Sequence, residues 1–187
     1  MKRGIRATVI AAVVFGGLLG GAATVASAAA SGTAQVFVTP NNTTAPKHPG
    51  KVMLTGAIGD YGTVIDATAA GKPTATKKKK TPYRLLRLKK GTILVNISTF
   101  QSKLTAAFSS PSGFNTTTCS QAVDVSGAIS VVSGSGAYSG ITGSFVMTGH
   151  FAGITRRTNS GSCTTKTTTP AATTYSSITG SGTVTVP

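Results

Sequence analysis

The stretch VSGSGAYSGITGSF, Val132 to Phe145, decides the fold of this chain. It places several glycines around the aromatic residue Tyr138, and β-rich runs flank it on both sides. Glycines at this density supply positive φ angles and allow close backbone approach, which is typical of tight turns, bulges and barrel corners rather than of helices. We therefore predict a strand, a tight glycine turn and a second strand, with Tyr138 packing where the strands turn.

Short runs in which apolar and polar residues alternate recur along the rest of the chain, separated by glycine-containing turns. The predicted strands fall at 52–58, 63–66, 83–90, 93–99, 119–125, 145–151 and 175–186. No long helical period interrupts them, although the apolar spacing in 102–110 fits either a short helix or a strand. Several short strands at regular spacing predict an all-β antiparallel sandwich or barrel. Closure into a barrel also removes the unpaired edges that an open sheet has to protect.

The segment GSGAYSGITG resembles the G-x-G-x-[FY]-x-G-x-x-G hairpin that plant allene oxide cyclases and dirigent proteins share. The motif positions are Gly134, Gly136, Tyr138, Gly140 and Gly143, and the match covers about fourteen residues. The resemblance implies an antiparallel eight-stranded calycin-like barrel, with a β-sandwich as the alternative. Together with the N-terminal segment described below, it leads us to expect a secreted, bacterial-type member of this family. Because backbone geometry explains the glycines, we expect the motif residues to be structural.

Residues 1–28 have the anatomy of a secretory signal peptide, with a basic start, an apolar run and a small-residue cleavage site at Ala26–Ala28. A transmembrane anchor is the alternative, but glycines interrupt the apolar run and no basic stop-transfer flank follows it. The segment 29–50 is rich in proline and asparagine, and we expect a flexible linker there, within which Ala34–Val38 is a candidate strand. The β-barrel domain is then expected at 51–187.

The chain is strongly basic, with 18 Lys and Arg, three Asp and a net charge of +15. Export would remove three basic residues and leave a net charge of +12. Nine of the remaining cations fall between Lys72 and Lys90, on a predicted loop and the strand that follows it. The predicted anionic-surface site comprises Lys77, Lys78, Lys79, Lys80, Arg84, Arg87, Lys89 and Lys90.

Such a cluster would attract an anionic cell-envelope polymer or a lipid surface, and each contact would weaken with salt. The alternative is a solvated loop whose charge keeps the protein soluble. Only Tyr83 supplies an aromatic ring nearby, so we expect no specific nucleic-acid recognition.

Cys119 and Cys163 are the only cysteines, and both lie in the part expected to be exported. In an oxidising compartment an even pair predicts a disulfide, and two free buried thiols are the alternative. A metal site is a weaker hypothesis because His48 and His150 lack ligand spacing, and we expect no metal and no cofactor.

Catalytic residue types are sparse, since three aspartates, two histidines and no glutamate leave little for paired-carboxylate or Ser-His-Asp chemistry. We interpret Asp60 as a turn-shaping residue and His150 as a solvated or hydrogen-bonded one; catalytic roles are the alternatives. In allene oxide cyclases the barrel interior binds a hydrophobic oxylipin and a buried acidic residue assists the cyclisation. None of the aspartates here aligns with that position, so the resemblance transfers the fold and no catalytic residue.

The functional hypothesis is a secreted, non-catalytic barrel that binds a small apolar ligand inside, an anionic envelope surface through the lysine-rich segment, or both. One alternative is an isomerase or cyclase that acts on a hydrophobic substrate. The other is a structural or adhesive surface module, which the abundance of serine and threonine suggests.

Overall fold

The computed structural model describes residues 30–39, 49–74, 81–110, 113–164 and 171–187. The predicted signal peptide and Lys77–Lys80 lie outside the described residues. The elements are β1 (Ala30–Thr39), β2 (Gly50–Gly56), β3 (Asp60–Ala67), β4 (Tyr83–Leu88), β5 (Gly91–Asn96), α1 (Ser98–Ser109), β6 (Phe114–Asn115), β7 (Ser120–Gly136), β8 (Thr142–Ile154) and β9 (Thr173–Val186).

Eight of these strands close into an antiparallel barrel. Their order around the ring is β1-β2-β3-β4-β5-β7-β8-β9, so each strand lies beside its neighbour in the chain. The ring closes because β1 pairs with β9 as well as β2, and because β5 pairs with β7. The two-residue strand β6 pairs with the start of β7. The predicted eight-stranded antiparallel barrel is therefore confirmed, and the alternative sandwich is excluded.

Alternation of side chains along each strand decides what fills the interior. In β2, Val52 and Leu54 are buried while Met53, between them, is exposed. In β8, Phe145 and Met147 are buried on either side of the exposed Val146. Successive residues of a strand point to opposite faces, so each strand contributes one apolar row to the core and one row to the outer surface.

The first strand lies within the segment expected to be a linker. Residues Ala30–Thr39 form β1, which is bonded to β2 on one side and to β9 on the other. Ala34 and Val36 are buried in the core. Two flanking partners and a buried apolar face hold this segment as a strand, so the barrel begins before residue 51. The rest of the expected linker lies mainly in 40–48, outside the described residues.

The stretch 102–110, for which the sequence allowed either a helix or a strand, lies mainly in helix α1. The Asn96 side-chain oxygen accepts a hydrogen bond from the Ser98 backbone N–H at 2.9 Å, which satisfies one donor of the first turn. Phe100 is buried, and its ring centroid lies 6.4 Å from that of Phe151 on β8. An added Cβ at Gly127 would lie 3.0 Å from the Phe100 Cα, so the helix packs directly on the backbone of β7.

The connections give the barrel two different ends. The tight turns β2–β3, β4–β5 and β7–β8 lie together at one end, here called the turn end. The other end, here called the loop end, carries α1 and the longer connections after β1, β3 and β8. The predicted Cys119–Cys163 disulfide is present at the loop end, with the two Cα atoms 5.2 Å apart. This bond is consistent with an extracellular protein.

Candidate functional site

A cavity of about 150 Å³ lies inside the barrel, partly open to solvent. Eleven of its lining residues are apolar and one, Arg84, is charged. The lining consists of Val36, Val38, Val64, Arg84, Leu86, Val95, Ile97, Phe100, Ile129, Phe145, Met147 and Ile178. Arg84 is the second residue of β4 and Ile97 directly precedes α1, so the cavity lies in the half of the barrel nearer the loop end.

The sequence builds the cavity wall from alternating strand positions. Val36 and Val38 of β1, and Phe145 and Met147 of β8, project inward from strands whose intervening residues face outward. The ring of Phe100 enters from α1 and closes part of the space. An apolar cavity of this kind accommodates apolar groups, with the few polar groups on its wall fixing orientation.

Arg84 brings a cation to this apolar wall. Its Nη1 donates to the carbonyl oxygens of Thr81 at 2.7 Å and Tyr83 at 2.9 Å, and its Nε lies 3.2 Å from Oδ1 of Asp66. The lining does not include the three partners of the guanidinium, Thr81, Tyr83 and Asp66. The guanidinium is therefore held at the rim, while the rest of the Arg84 side chain contributes to the wall. Burial lowers the pKa of Arg84 and the charge of Asp66 raises it in part, but an arginine remains a cation at neutral pH.

The alternation of β4 contains a signal for this position. Arg84 shares a strand face with Leu86 and Leu88, and the structure places that face inward. Clustering of charge in the sequence nevertheless assigned Arg84 to the surface patch together with its neighbours. The position of a residue on a strand face was here a better guide to its location than its charge.

The remaining residues of the predicted anionic-surface site divide into two groups. Lys77, Lys78, Lys79 and Lys80 lie outside the described residues. Arg87, Lys89 and Lys90 are exposed on β4 and on the turn that follows it. The Nζ of Lys89 lies 5.5 Å from the ring centroid of the exposed Tyr61, within range of a cation–π contact. The structure therefore brings three of the eight residues together on the surface and places Arg84 on the inside.

The glycine-rich motif at Gly134–Gly143 contains the β7–β8 turn. Gly136, Gly140 and Gly143 have φ angles of +62°, +80° and +140°, which other residues rarely adopt. The backbone N–H of Ala137 donates to the Lys90 carbonyl at 3.0 Å, which ties this turn to the β4–β5 turn. Tyr138 is only 2% exposed. The predicted strand-turn-strand unit and the packed Tyr138 are both confirmed.

Asp60 links the turns at this end of the barrel. Its carboxylate accepts the Tyr138 hydroxyl at 2.6 Å and the backbone N–H groups of Tyr61 at 2.7 Å, Lys90 at 3.0 Å and Lys89 at 3.3 Å. The sequence predicted that Asp60 shapes its own turn. The structure adds partners 29 to 78 residues away, for which no local pattern gives a signal.

The other candidate acid and base lie on the outer surface. Asp124 and His150 face each other across β7 and β8, with His150 Nδ1 2.8 Å from Asp124 Oδ1 and both side chains exposed. This is the hydrogen-bonded histidine expected from the sequence. Within the described ranges, no group of three or more His, Cys, Asp or Glu could hold a metal ion. In that same part of the chain, no helix has the length and apolarity to cross a membrane.

The chain matches no protein-family model, no curated protein and no solved structure. A function has therefore to be argued from the side chains of the barrel itself.

Proposed function

We propose that this chain is a secreted, non-catalytic barrel protein that binds a small apolar ligand in its cavity. The observation that carries this proposal is the cavity of about 150 Å³, with its eleven apolar lining residues. Removal of apolar ligand surface from water contributes about 25 cal/mol per Å², so even a small molecule gains free energy by entering. The turn end is filled by buried side chains, which leaves the loop end as the route of entry.

Three features support the secreted, allene-oxide-cyclase-like and dirigent-like character of the protein. Residues 1–28 have the composition of a signal peptide. The Cys119–Cys163 disulfide suits an oxidising compartment outside the cell, either in solution or at the cell surface. The hairpin at Gly134–Gly143 lies in an eight-stranded antiparallel barrel, the architecture that its resemblance implies.

An isomerase or cyclase that acts on a hydrophobic substrate is the alternative for the same cavity. General acid-base chemistry requires a proton donor or acceptor within hydrogen-bond reach of the substrate. The described cavity wall contains no carboxylate, imidazole or hydroxyl group. Asp60 and Tyr138 are bonded to each other at the turn end, and His150 lies on the outer face of β8. This distribution favours binding without catalysis.

A cavity-filling substitution tests the binding proposal. Val64 lies on the wall and is only partly buried, so Val64→Phe should occupy the cavity without a large cost to folding. We expect the exported wild type to show a small-molecule adduct in native mass spectrometry, and to bind 1-hexanol in an NMR titration of its methyl groups. Both signals should fall about tenfold or more in Val64→Phe, since the apolar contacts are lost.

Val146→Phe is the matched control, because Val146 is 58% exposed on the outer face of β8. It should bind as the wild type does. Equal binding by all three proteins would place the ligand outside the cavity and refute the proposal. Wild type without any adduct or hexanol binding would favour the structural or adhesive module, and chemical turnover of a captured ligand would favour the enzyme.

The exposed cations support a second candidate function, binding to an anionic lipid surface or envelope polymer. Phe37 pairs with Met53, and Met53 pairs with Tyr61, so three exposed apolar side chains form a row across β1, β2 and β3. The ammonium of Lys89 lies over the ring of Tyr61. An apolar row beside cations is the pairing that inserts into the interface of an anionic membrane.

Vesicles that contain anionic phosphatidylglycerol test this second candidate. Each cation near the membrane contributes about 1 kcal/mol, so the double variant Arg87→Gln/Lys89→Gln should lose about tenfold or more in vesicle affinity at low salt. The double variant Lys103→Gln/Arg156→Gln changes the net charge equally at positions on α1 and after β8, and should lose much less. Lys77–Lys80→Ala tests the segment outside the described residues. Undiminished binding by both Arg87→Gln/Lys89→Gln and Lys77–Lys80→Ala would remove the surface hypothesis.

A further inference from the structure

Arg84 is an unusual residue to find on the wall of an apolar cavity. It stands opposite Asp66 on β3 and Val95 on β5, on the inward side of the barrel. A cation next to apolar surface is costly unless other groups compensate its charge. The compensation here is partial, because the Asp66 side chain is 55% exposed and meets Arg84 through a single 3.2 Å contact at Nε.

The guanidinium is fixed in place by backbone groups rather than by Asp66. The Thr81 and Tyr83 carbonyl oxygens take the two hydrogens of Nη1 at 2.7 and 2.9 Å. Nη2 has no protein acceptor among the described residues. Arg84 therefore presents a held donor group at the rim of the cavity, and two of its N–H groups have no acceptor in the part of the chain that the structure describes.

An arginine in this position recognises carboxylates especially well. Its planar fork of donors matches the two oxygens of a carboxylate, and such charge-assisted hydrogen bonds are about twice as strong as neutral ones. The carboxylate of Asp66 already contacts the guanidinium, which shows that this position accepts a carboxylate. Because exposed ion pairs contribute little, a ligand whose tail is buried can displace Asp66 or share the guanidinium with it.

We infer that the natural ligand is a monocarboxylate with a short apolar tail, whose tail fills the cavity and whose head group binds Arg84. This inference rests on the proposed function. The tail can be sized from the volume, since an apolar cavity of about 150 Å³ is known to hold benzene. A tail of about six carbons therefore fits the cavity of about 150 Å³ seen here.

Hexanoate and 1-hexanol test the inference at pH 7, because both are unbranched six-carbon molecules that differ in the charge of the head group. We expect wild type to bind hexanoate more tightly than 1-hexanol in NMR titrations of its methyl groups. Arg84→Met keeps an unbranched apolar stem and should weaken hexanoate binding about tenfold. The same variant should leave 1-hexanol binding within about twofold.

Asp66→Asn provides a second test that leaves Arg84 in place. Removal of the competing carboxylate should tighten hexanoate binding about two- to fivefold and leave 1-hexanol unchanged. Asp124→Asn makes the same change of charge on the outer face of β7 and should alter neither affinity. If Arg84→Met fails to fold, the Asp66→Asn result decides alone.

The outcomes separate this inference from the binding proposal on which it rests. Tight 1-hexanol binding with no preference for hexanoate, and no response to Arg84→Met or Asp66→Asn, would overturn the head-group assignment while leaving apolar binding intact. Absence of binding of both probes to wild type would instead refute the binding proposal itself.

Discussion

Asp60 is a single buried carboxylate that joins three turns of the barrel. Burial alone raises the pKa of Asp60, but hydrogen bonds from the Tyr138 hydroxyl and from the backbone N–H groups of Lys90, Tyr61 and Lys89 outweigh it and lower the pKa below its ordinary value. The folded-state pKa therefore lies below that of the unfolded chain. Ionised Asp60 stabilises the fold above about pH 4, and this stabilisation is lost as the pH falls through the folded-state pKa.

The variant Asp60→Asn should lose this contribution. We expect the free energy of unfolding to fall by about 1–3 kcal/mol at pH 7, because the charged acceptor of four hydrogen bonds is replaced by a neutral amide. The difference from wild type should narrow as the pH falls through the lowered folded-state pKa of Asp60, because the wild-type carboxylate then becomes protonated. Urea denaturation at pH 7 and over a series of decreasing pH values measures both quantities.

Asp124→Asn is the control for this prediction, since the Asp124 side chain is 77% exposed. It should change the free energy of unfolding by less than about 0.5 kcal/mol at pH 7. An Asp60→Asn protein that is as stable as wild type at pH 7, or whose deficit does not narrow as the pH is lowered, would show that the hydrogen bonds to the Asp60 carboxylate contribute nothing specific.

The β7–β8 hairpin shows, at the level of an element, why particular turn positions require glycine. An added Cβ at Gly134 would lie 2.0 Å from the Tyr138 carbonyl oxygen, which closes the turn over its own strand. At Gly136 the φ angle is +62° and an added Cβ would lie 2.6 Å from the Lys90 carbonyl oxygen. The glycines thus allow the hairpin to contact the β4–β5 turn directly.

Gly136→Ala should therefore destabilise the fold through backbone strain and through the close approach to Lys90. Gly161→Ala introduces backbone strain alone. Gly161 has a φ angle of +82° but nothing within 4 Å of an added Cβ. We expect Gly161→Ala to lower the free energy of unfolding by about 1 kcal/mol through backbone strain. Gly136→Ala should lower it by at least about 1 kcal/mol more, because the β4–β5 turn has to move.

Chemical denaturation of the two variants compares them directly, and a 1-hexanol titration of the folded Gly136→Ala protein completes the test. Its hexanol affinity should equal that of wild type, because the hairpin turn does not line the cavity. An equal decrease in the free energy of unfolding for both substitutions would show that the close approach to Lys90 does not restrict residue 136 to glycine. Loss of hexanol binding by folded protein would give the motif a functional role.

The elements also show how far the sequence could predict the fold. Alternation separated the two faces of β8, because a half-buried strand has a period of two. Charge clustering nevertheless assigned Arg84 to the surface site, although alternation puts it on the same strand face as Leu86 and Leu88. The sequence indicated a candidate strand at Ala34–Val38 but not its full extent or its place in the barrel, because β1 depends on pairing with β9 at the other end of the chain. The helix α1 remained ambiguous because the packing of Phe100 on β7, rather than local spacing, decides it. The Asp60–Tyr138 contact spans 78 residues and left no local pattern to detect.

At the scale of the whole molecule, the two ends of the barrel differ in construction. The turn end is closed by short turns, a buried tyrosine and a carboxylate, while the cavity lies toward the loop end. The loop end is instead cross-linked by a disulfide bond. The disulfide joins Cys119, just before β7, to Cys163, after β8, and Arg157 donates hydrogen bonds to the carbonyl oxygens of Thr117 and Gly161 in the same two segments.

Removal of the disulfide should therefore weaken the loop end before the turn end. Its cysteines are 44 residues apart, and closing a loop of that length stabilises by about 4 kcal/mol in the chain-entropy treatment. We expect Cys119→Ser/Cys163→Ser to lower the free energy of unfolding by about 2–4 kcal/mol. Dithiothreitol should destabilise wild type equally and leave the double variant unchanged.

Hydrogen exchange distinguishes local from global loosening of the double variant. The amide of Thr155, which donates to the Cys119 carbonyl at 2.8 Å, should exchange much faster than in wild type. The amide of Ala137, bonded to Lys90 at the turn end, should keep its protection until the whole barrel unfolds. A uniform loss of protection at both amides would mean that the barrel opens as one unit, and that the disulfide stabilises both ends alike.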